Sequence, residues 1–298
     1  MYKINLKTII LSVIGLFFLY LNGTLFFFNA TPESKRITTP IENSYSVKDP
    51  AFRTNSGIFT CRRWVDGNEA IVMSRGEDIF DAMYEDIRNA GNTISKETFV
   101  YRGEAVATTM AYELADASQR GVNVHFIMDY AGSAEATTEQ LNMMKDAGVH
   151  LVRWRRPSWY QLSRFNNRTH RKLLIIDGEV AYTGGVTRLM NGCLTWKDLL
   201  EVGIEMYEYQ PVMYHAKLMI VDDYFVTMGS TNFDNRSFRL NDEANVSILD
   251  EGFVLRVAER YEEDLANSER MTLEEWKNRS SFRKAYGWVI TKLIGGYL

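Results

Sequence analysis

Hydrophobic and polar positions alternate with two different periods between residues 77 and 154, and these periods predict helices and strands in turn. Amphipathic stretches with apolar residues three or four positions apart predict helices, and short apolar runs bounded by turn-forming residues predict strands. The predicted helices cover residues 77–90, 104–118 and 137–147, and the predicted strands cover residues 93–100, 123–129 and 149–154. This alternation indicates an α/β fold.

Two continuous apolar runs follow, LLII and LMIV, and each leads through a short turn into another strand pattern. The same polar residues flank each run in the arrangement His-x-Lys-x-x-x-x-Asp, with the histidine and lysine before the run and the aspartate after it. The two copies begin 45 residues apart and consist of His170, Lys172 and Asp177 and of His215, Lys217 and Asp222. Upstream, residues 146–157 and 200–211 also correspond as strand patterns. The chain therefore contains an internal repeat.

Each motif places an imidazole and an ammonium group two residues apart in an extended segment, so both side chains point to one face. This pair suits phosphoryl transfer, because the imidazole can attack phosphorus or protonate a leaving oxygen while the lysine holds a non-bridging oxygen. The histidine also needs an acceptor for its second nitrogen. Asp198 and Glu243, each 28 residues after the histidine of its own motif, are the candidates.

The remaining motif residues and histidines allow simpler interpretations. Asp177 and Asp222 either support the catalytic groups or are structural residues that end a strand and stabilise the turn. His125 and His150 lack the motif and are expected to be ordinary core or surface residues.

The paired motif, with Gly-Gly or Gly-Ser after it, resembles the phospholipase D superfamily. The segments HRKLLIIDGEVAYTGG, WKD, YEYQPVMYHAK and GSTNFDNRSFRLNDEANV are most similar to bacterial cardiolipin synthases, and the resemblance covers the chain from about residue 65 onward. It implies a phospholipase D-like mixed sheet flanked by helices, in two pseudo-symmetric halves. It also implies a two-step transfer through a phosphohistidine that needs no metal and no cofactor. In related enzymes the first histidine is often the nucleophile, which would be His170 with His215 as acid and base, but the near symmetry of the motifs leaves this assignment open.

Two departures from the family pattern stand out. Thr187 occupies a position where the family has asparagine, whereas the second motif keeps Asn232; a hydroxyl can still donate one hydrogen bond, with shorter reach. In addition, the leading strand, helix and strand of the second half are absent, and the join falls just after Asp198. Such a loss leaves an open sheet edge and an uncovered apolar face. A natural variant that shares sheets between chains, an engineered deletion and a degenerate remnant are the three explanations.

The N-terminal region contains an apolar run between residues 9 and 28, which is long enough to cross a hydrocarbon core. We predict a single transmembrane anchor; the alternative is a cleaved signal peptide, but FFFNA lacks the small-x-small pattern of a cleavage site. Lysines and arginines on both sides leave the orientation open. The predicted domains are a transmembrane anchor at 1–30, a polar linker at 31–64, a first half at 65–198 and a truncated second half with C-terminal helices at 199–298.

The net charge of −4 speaks against a nucleic-acid-binding surface as the main partner. A local exception is the basic and aromatic segment at residues 153–168, which is either a solvated loop or an interfacial lip for anionic lipid head groups. The C-terminal segment FRKAYGWVITKLIGGYL is interpreted as a packed or interfacial helix. Two cysteines, Cys61 and Cys193, provide neither a disulfide framework nor metal-ligand spacing.

These observations predict a single-pass enzyme of the cell membrane that acts on anionic glycerophospholipid. The leading hypothesis is a phosphatidyltransferase that forms cardiolipin from two phosphatidylglycerol molecules. A hydrolytic phosphodiesterase and a catalytically silent remnant are the alternatives. The acceptor, the sidedness of the catalytic domain and the oligomeric state stay open, and a homo-oligomer is compatible with the sequence.

Overall fold

A computed structural model describes residues 5–29, 45–156, 167–184, 196–211, 215–234, 237–238, 240–282 and 284–285. Thr187, Cys193 and the larger parts of the predicted lip and C-terminal segment lie outside these residues. The chain divides into two compact units, one made of Met1–Glu42 with Arg279–Leu298 and one made of Asn43–Asn278.

The helices are α1 (Leu6–Asn29), α2 (Pro50–Thr60), α3 (Gly76–Asn89), α4 (Glu104–Gln119), α5 (Thr138–Asp146), α6 (Trp196–Glu201), α7 (Glu251–Ala266) and α8 (Leu273–Asn278). The strands are β1 (Thr93–Thr98), β2 (Asn123–Asp129), β3 (His150–Trp154), β4 (Leu173–Ile176), β5 (Val180–Thr183), β6 (Met206–Tyr209), β7 (Leu218–Val221), β8 (Phe225–Gly229), β9 (Asn245–Leu249) and β10 (Ser268–Met271). The helices and strands predicted between residues 77 and 154 are confirmed, with ends that differ by at most two residues.

Helix α1 belongs to the first unit and covers the apolar run that the sequence predicted as a transmembrane anchor. Among the described residues, no helix combines the length and apolar character that crossing a membrane requires. The predicted transmembrane helix is therefore unconfirmed. In the second unit, α2 forms within the predicted linker, where Asp49 caps its first turn and Pro50 begins it.

The larger sheet of the second unit has the strand order β3-β2-β1-β4-β5. Strands β1, β2 and β3 run parallel, while β4 is antiparallel to both β1 and β5, so the sheet is mixed as predicted. Helices α3, α4 and α5 pack on one face, where the core includes Ile94, Phe126 and Leu174. Helix α5 begins with a reciprocal capping box between Thr137 and Gln140.

The opposite face of this sheet carries exposed side chains. Val152 is 46% exposed and Ile175 is 37% exposed there. His125 and His150 lie on neighbouring strands of this sheet and stack with their ring centroids 4.7 Å apart. Both are exposed, in keeping with their interpretation as surface residues.

The second motif lies beside a three-stranded sheet in the order β7-β8-β9, backed by α7 through Val226, Phe253 and Val254. Asp250 caps α7 by accepting a hydrogen bond from the Phe253 backbone N–H at 2.6 Å. Strand β6 pairs with β10 in a separate two-stranded sheet. The predicted correspondence of β6 to β3 is therefore limited to sequence, because β3 pairs with β2 in the large sheet and β6 does not.

Candidate active site

The two motifs adopt the same local geometry. His170 and Lys172 lie in the extended segment before β4, and His215 and Lys217 lie in the extended segment before β7. In each motif the lysine Nζ donates a hydrogen bond to the backbone carbonyl of its own histidine, and both distances are 2.7 Å. The sequence repeat is therefore also a structural repeat.

The histidines of the two motifs face each other. Their ring centroids are 6.5 Å apart and the rings are nearly perpendicular, at 86°. The two imidazoles are therefore close enough to act on one phosphate group, because reacting atoms approach to about 3–3.5 Å before a bond forms. One chain thus supplies both halves of the site.

His170 is held by two acceptors on one nitrogen. Its Nδ1 lies 3.0 Å from each carboxylate oxygen of Glu243 and 3.0 Å from the backbone carbonyl oxygen of Ser230. Because both partners can only accept, Nδ1 carries the proton and Nε2 presents its lone pair when the ring is neutral. The side chains of His170 and Glu243 are 10% and 8% exposed, so this bond is shielded from water.

The sequence paired these groups differently. Glu243 was predicted to hold His215, the histidine of its own motif, and the structure shows it at His170 instead. The reason lies in the backbone: Thr169 forms a bridge to Asp242, and the His170 N–H donates to the Asp242 carbonyl at 2.9 Å. This bridge places Glu243, the residue after Asp242, beside the first motif. Asp198 lies in α6, but its side chain is outside the described part of the chain, so its role stays a prediction.

Ser230 completes the support of Glu243 and is not among the site residues that the sequence predicts. Its side chain is fully buried, and Oγ donates to the Glu243 carboxylate at 2.6 Å. The residue before it must be glycine, since a Cβ on Gly229 would lie 2.3 Å from the Ala244 carbonyl oxygen. The Gly-Ser step after β8 was the available signal.

The site is crowded with positive charge. Burial lowers the pKa of Lys172 to about 7, with a further lowering by Lys217. Burial also lowers the pKa of Lys217 to about 8. The pKa of His215 falls to about 4, because burial and the charges of Lys217 and Lys172 oppose its protonation. An anion entering this space would be stabilised by the same charges.

Glu243 remains the counter-charge in this group. Burial acts to raise its pKa, but hydrogen bonds from His170 and Ser230 outweigh burial and leave the pKa below its usual value. Phe99 adds an apolar wall, with its ring 5.2 Å from that of His170 in an edge-to-face arrangement. The carboxylate is thus kept ionised beside the imidazole it orients.

The motif aspartates lie in turns, where both adopt a left-handed backbone conformation with φ of 53°. Asp177 accepts hydrogen bonds from the backbone N–H groups of Gly91, Asn92 and Thr93 at 2.7–2.8 Å, and these bonds lower its pKa. It therefore fixes the start of β1. Asp222 is exposed, and within the described residues no strand corresponding to β1 adjoins β7.

The other predicted site residues take lesser positions. Asn232 is partly buried. The backbone N–H of the preceding residue, Thr231, donates a hydrogen bond to the Asn245 side-chain oxygen at 3.1 Å. Thr187 lies outside the described residues. Across the part of the chain that the structure describes, no group of three or more His, Cys, Asp or Glu side chains could hold a metal ion.

Two histidine-lysine pairs brought side by side on an α/β fold define the class of the phospholipase D superfamily. Within that class, the family model described as "Cardiolipin synthase, PLD-like domain" matches residues 83–187 and 189–266, and the chain belongs to this family.

Curated relatives agree at low identity. The minor cardiolipin synthase ClsB of Bacillus subtilis (strain 168) is 22% identical over 340 residues, which covers 72% of this chain and 85% of the relative. Cardiolipin synthase 2 of Staphylococcus epidermidis is 20% identical over 348 residues, covering 72% of this chain and 71% of the relative. Both alignments are longer than the 298-residue chain, so they contain gaps in this chain.

Among solved structures, the phospholipase D family member Nuc from Salmonella typhimurium is 14% identical to this chain. It matches 64% of this chain and 90% of its own with a TM-score of 0.25. A TM-score this low does not establish a shared arrangement of the whole chain.

Proposed function

We propose that the protein is a membrane-associated phosphatidyltransferase that joins two phosphatidylglycerol molecules into cardiolipin and releases glycerol. The observation that carries the proposal is the proximity of His170 and His215, whose ring centroids are 6.5 Å apart, with the first ring held by Glu243. That arrangement supports a nucleophile on one side of a phosphodiester and an acid on the other.

In the first step, Nε2 of His170 attacks phosphorus and the bond from phosphorus to the head-group oxygen breaks. His215 gives its proton to that oxygen, and glycerol leaves. In the second step, His215 takes the proton from a hydroxyl of the second phosphatidylglycerol, whose oxygen attacks phosphorus as the phosphorus–nitrogen bond breaks. Cardiolipin forms and both histidines return to their starting states.

The electrostatics support this division of roles. His215 must be protonated in the first step, yet without bound substrate the pKa of His215 is only about 4. A phosphodiester anion between the lysines offsets the charges that lower this pKa, so substrate binding favours the proton that catalysis needs. The lysines then hold the non-bridging oxygens as charge develops.

The direct test is to incubate the purified protein with phosphatidylglycerol vesicles and to quantify cardiolipin and glycerol. We expect both products in equal amounts, and we expect His170→Ala and His215→Ala to lower the rate by at least about 10³-fold. His125→Ala, at an exposed histidine near the start of β2, is the matched control and should retain activity.

Each alternative gives a different result in the same assay. Phosphatidic acid in place of cardiolipin would identify water as the acceptor and overturn the transferase assignment. The absence of any conversion by the unmodified chain would support the silent remnant. The assembled site favours an active enzyme, because the chain retains the histidines, both lysines and the orienting carboxylate in one place.

Membrane association is part of the proposal. Helix α1 exposes leucine, isoleucine and phenylalanine side chains, including Leu11, Leu16 and Phe17. We infer that this helix anchors the chain. Carbonate extraction of membranes from expressing cells should leave the full chain in the pellet, and its release into the supernatant would contradict an integral anchor.

We also infer that the second half lacks the strand, helix and strand that precede its motif. Support comes from β7, which within the described residues pairs only with β8, whereas its counterpart β4 pairs with both β1 and β5. The gaps required by the alignments to curated relatives are consistent with this.

A further inference from the structure

Two phenylalanines beside the catalytic site are almost fully exposed. Phe233 is 93% exposed and Phe238 is 60% exposed, and their rings contact each other edge to face with centroids 5.6 Å apart. Large aromatic side chains seldom form an exposed pair on a surface that meets only water. We propose that this pair inserts into the lipid surface and holds the entrance of the catalytic site against the bilayer.

The loop that carries the pair is held by hydrogen bonds of its own to Asp234. The Asp234 carboxylate accepts from the Ser237 backbone N–H at 2.7 Å, and the Asp234 carbonyl accepts from the Phe238 N–H at 3.1 Å. Ser237 itself is buried. Phe238 is therefore held in place by its own backbone hydrogen bond to Asp234 and by that of its neighbour Ser237.

The same loop ends at the residues that orient His170. Asn241 Nδ2 donates to a Glu243 oxygen at 3.3 Å, and the Asp242 carbonyl accepts the His170 N–H at 2.9 Å. The charge of Asp234 acts on Lys217, whose pKa it raises against the lowering by burial. A surface that contacts the phenylalanine pair is thus close to both histidine-lysine pairs.

A second aromatic and basic segment is joined to this loop. Arg155 Nη2 lies 3.0 Å from the Asp242 carboxylate, which attaches the end of β3 to the end of the loop. Trp154, beside it, is 44% exposed, and Arg156 is exposed. Aromatic rings with neighbouring arginines suit the boundary between acyl chains and anionic head groups.

The net charge of the chain argues for a local device of this kind. At −4 the protein as a whole is repelled by an anionic membrane, so contact of the catalytic unit with lipid needs a local attractive surface in addition to the proposed anchor helix. This inference rests on the proposed function, in which the substrate is a membrane lipid. A lipid surface fits the observations better than a protein partner, because the substrate itself must enter between the histidines from the bilayer.

The experiment uses the full chain and compares the double variant Phe233→Ala/Phe238→Ala with Phe59→Ala. Phe59, on α2 of the same unit, is 87% exposed and is the matched control. Turnover is measured on phosphatidylglycerol vesicles and on bis(4-nitrophenyl) phosphate, a soluble phosphodiester. We expect the double variant to lose at least about tenfold of the vesicle rate, to keep the rate on the soluble diester, and Phe59→Ala to change neither.

A spectroscopic measurement tests contact with lipid directly. The chain has six tryptophans of its own, so emission is compared with that of the unmodified chain. Relative to it, Phe238→Trp should add blue-shifted emission that brominated phosphatidylglycerol quenches, whereas the emission added by Phe59→Trp should be neither blue-shifted nor quenched. This readout does not depend on catalysis, so it tests insertion even if the chain forms no cardiolipin.

Three results would overturn the inference. Equal losses on vesicles and on the soluble diester would mean that the loop only supports the site. An unchanged vesicle rate together with unquenched Phe238→Trp emission would exclude insertion. A dimer in sedimentation that the double alanine variant dissociates, without lipid quenching, would assign the pair to a second copy of the chain.

Discussion

Glu243 lies 3.0 Å from Nδ1 of His170, although in the sequence repeat it follows the other histidine, His215. The second half of the chain therefore sets the tautomer of the first motif, through Ser230 and Glu243 together. Neither motif is complete by itself. A shortened second half can still support catalysis if it keeps the short segment from β8 to β9 that carries these two residues.

This dependence predicts the effect of Glu243→Gln. The amide preserves the shape of the carboxylate but removes its charge, and its NH₂ group can donate to Nδ1 and stabilise the wrong tautomer. We expect kcat on phosphatidylglycerol vesicles to fall by at least about 10²-fold with a smaller change in KM. Glu259→Gln, at an exposed position on α7, is the control and should behave as the unmodified chain. Equal activity of both variants would show that the contact is not needed.

The roles of the two histidines can be separated with an activated substrate. A 4-nitrophenyl phosphodiester has a leaving group that needs no acid, so a chain without His215 can complete the first step but not the second. We expect His215→Asn to release about one equivalent of nitrophenol in a burst and to retain an acid-labile phosphohistidine, which mass spectrometry would locate at His170. A burst from His170→Asn instead would reverse the assignment.

The sequence predicted the first half of the fold well because its signals are local. The helices and strands from Gly76 to Trp154 follow from periodicity, and the motif residues are recognisable by spacing alone. The contact of Glu243 with His170, the histidine of the other motif, was not predictable. It depends on a backbone bridge between Thr169 and Asp242, which are 73 positions apart in the chain. Equal offsets of 28 residues suggested pairing within each motif, and tertiary structure overrode them.

The roles of the motif aspartates also depended on tertiary structure. The sequence left Asp177 and Asp222 open between catalytic support and turn formation. Asp177 accepts hydrogen bonds from three backbone N–H groups at the start of β1, two just before the strand and one from its first residue, more than 80 residues earlier in the chain. No local pattern reports such a contact. Asp222 is exposed, which agrees with the proposed loss of the corresponding strand from the second half.

The depressed pKa values of the lysines predict the pH dependence of kcat/KM. Lysine is charged below its pKa, so a pKa of about 7 for Lys172 and about 8 for Lys217 means that the free enzyme loses positive charge at the site as pH rises through this range. We expect kcat/KM for the anionic lipid to decline above pH of roughly 7–8. The profile of kcat should extend to higher pH, because bound phosphate favours the charged lysines. A kcat/KM that stays flat to pH of about 10 would contradict these assignments.

Replacing Lys172 with methionine should separate stability from activity. The folded state holds this lysine with a pKa of about 7, well below the ordinary value of 10.5, so between these values the unfolded chain binds more protons. Stability therefore rises with pH across that window, and at pH 7 the buried charge is destabilising. We expect Lys172→Met to unfold at higher free energy by about 1–2 kcal/mol at pH 7, with an advantage that shrinks towards pH 10. Its activity should fall by at least about 10²-fold, because a charge at the phosphate is lost.

Lys145→Met, at an exposed position in α5, is the control and should alter neither property. Denaturant unfolding at several pH values is the measurement. A variant less stable than the unmodified chain at pH 7 would mean that the hydrogen bond from Lys172 to the His170 carbonyl outweighs the cost of burying the charge.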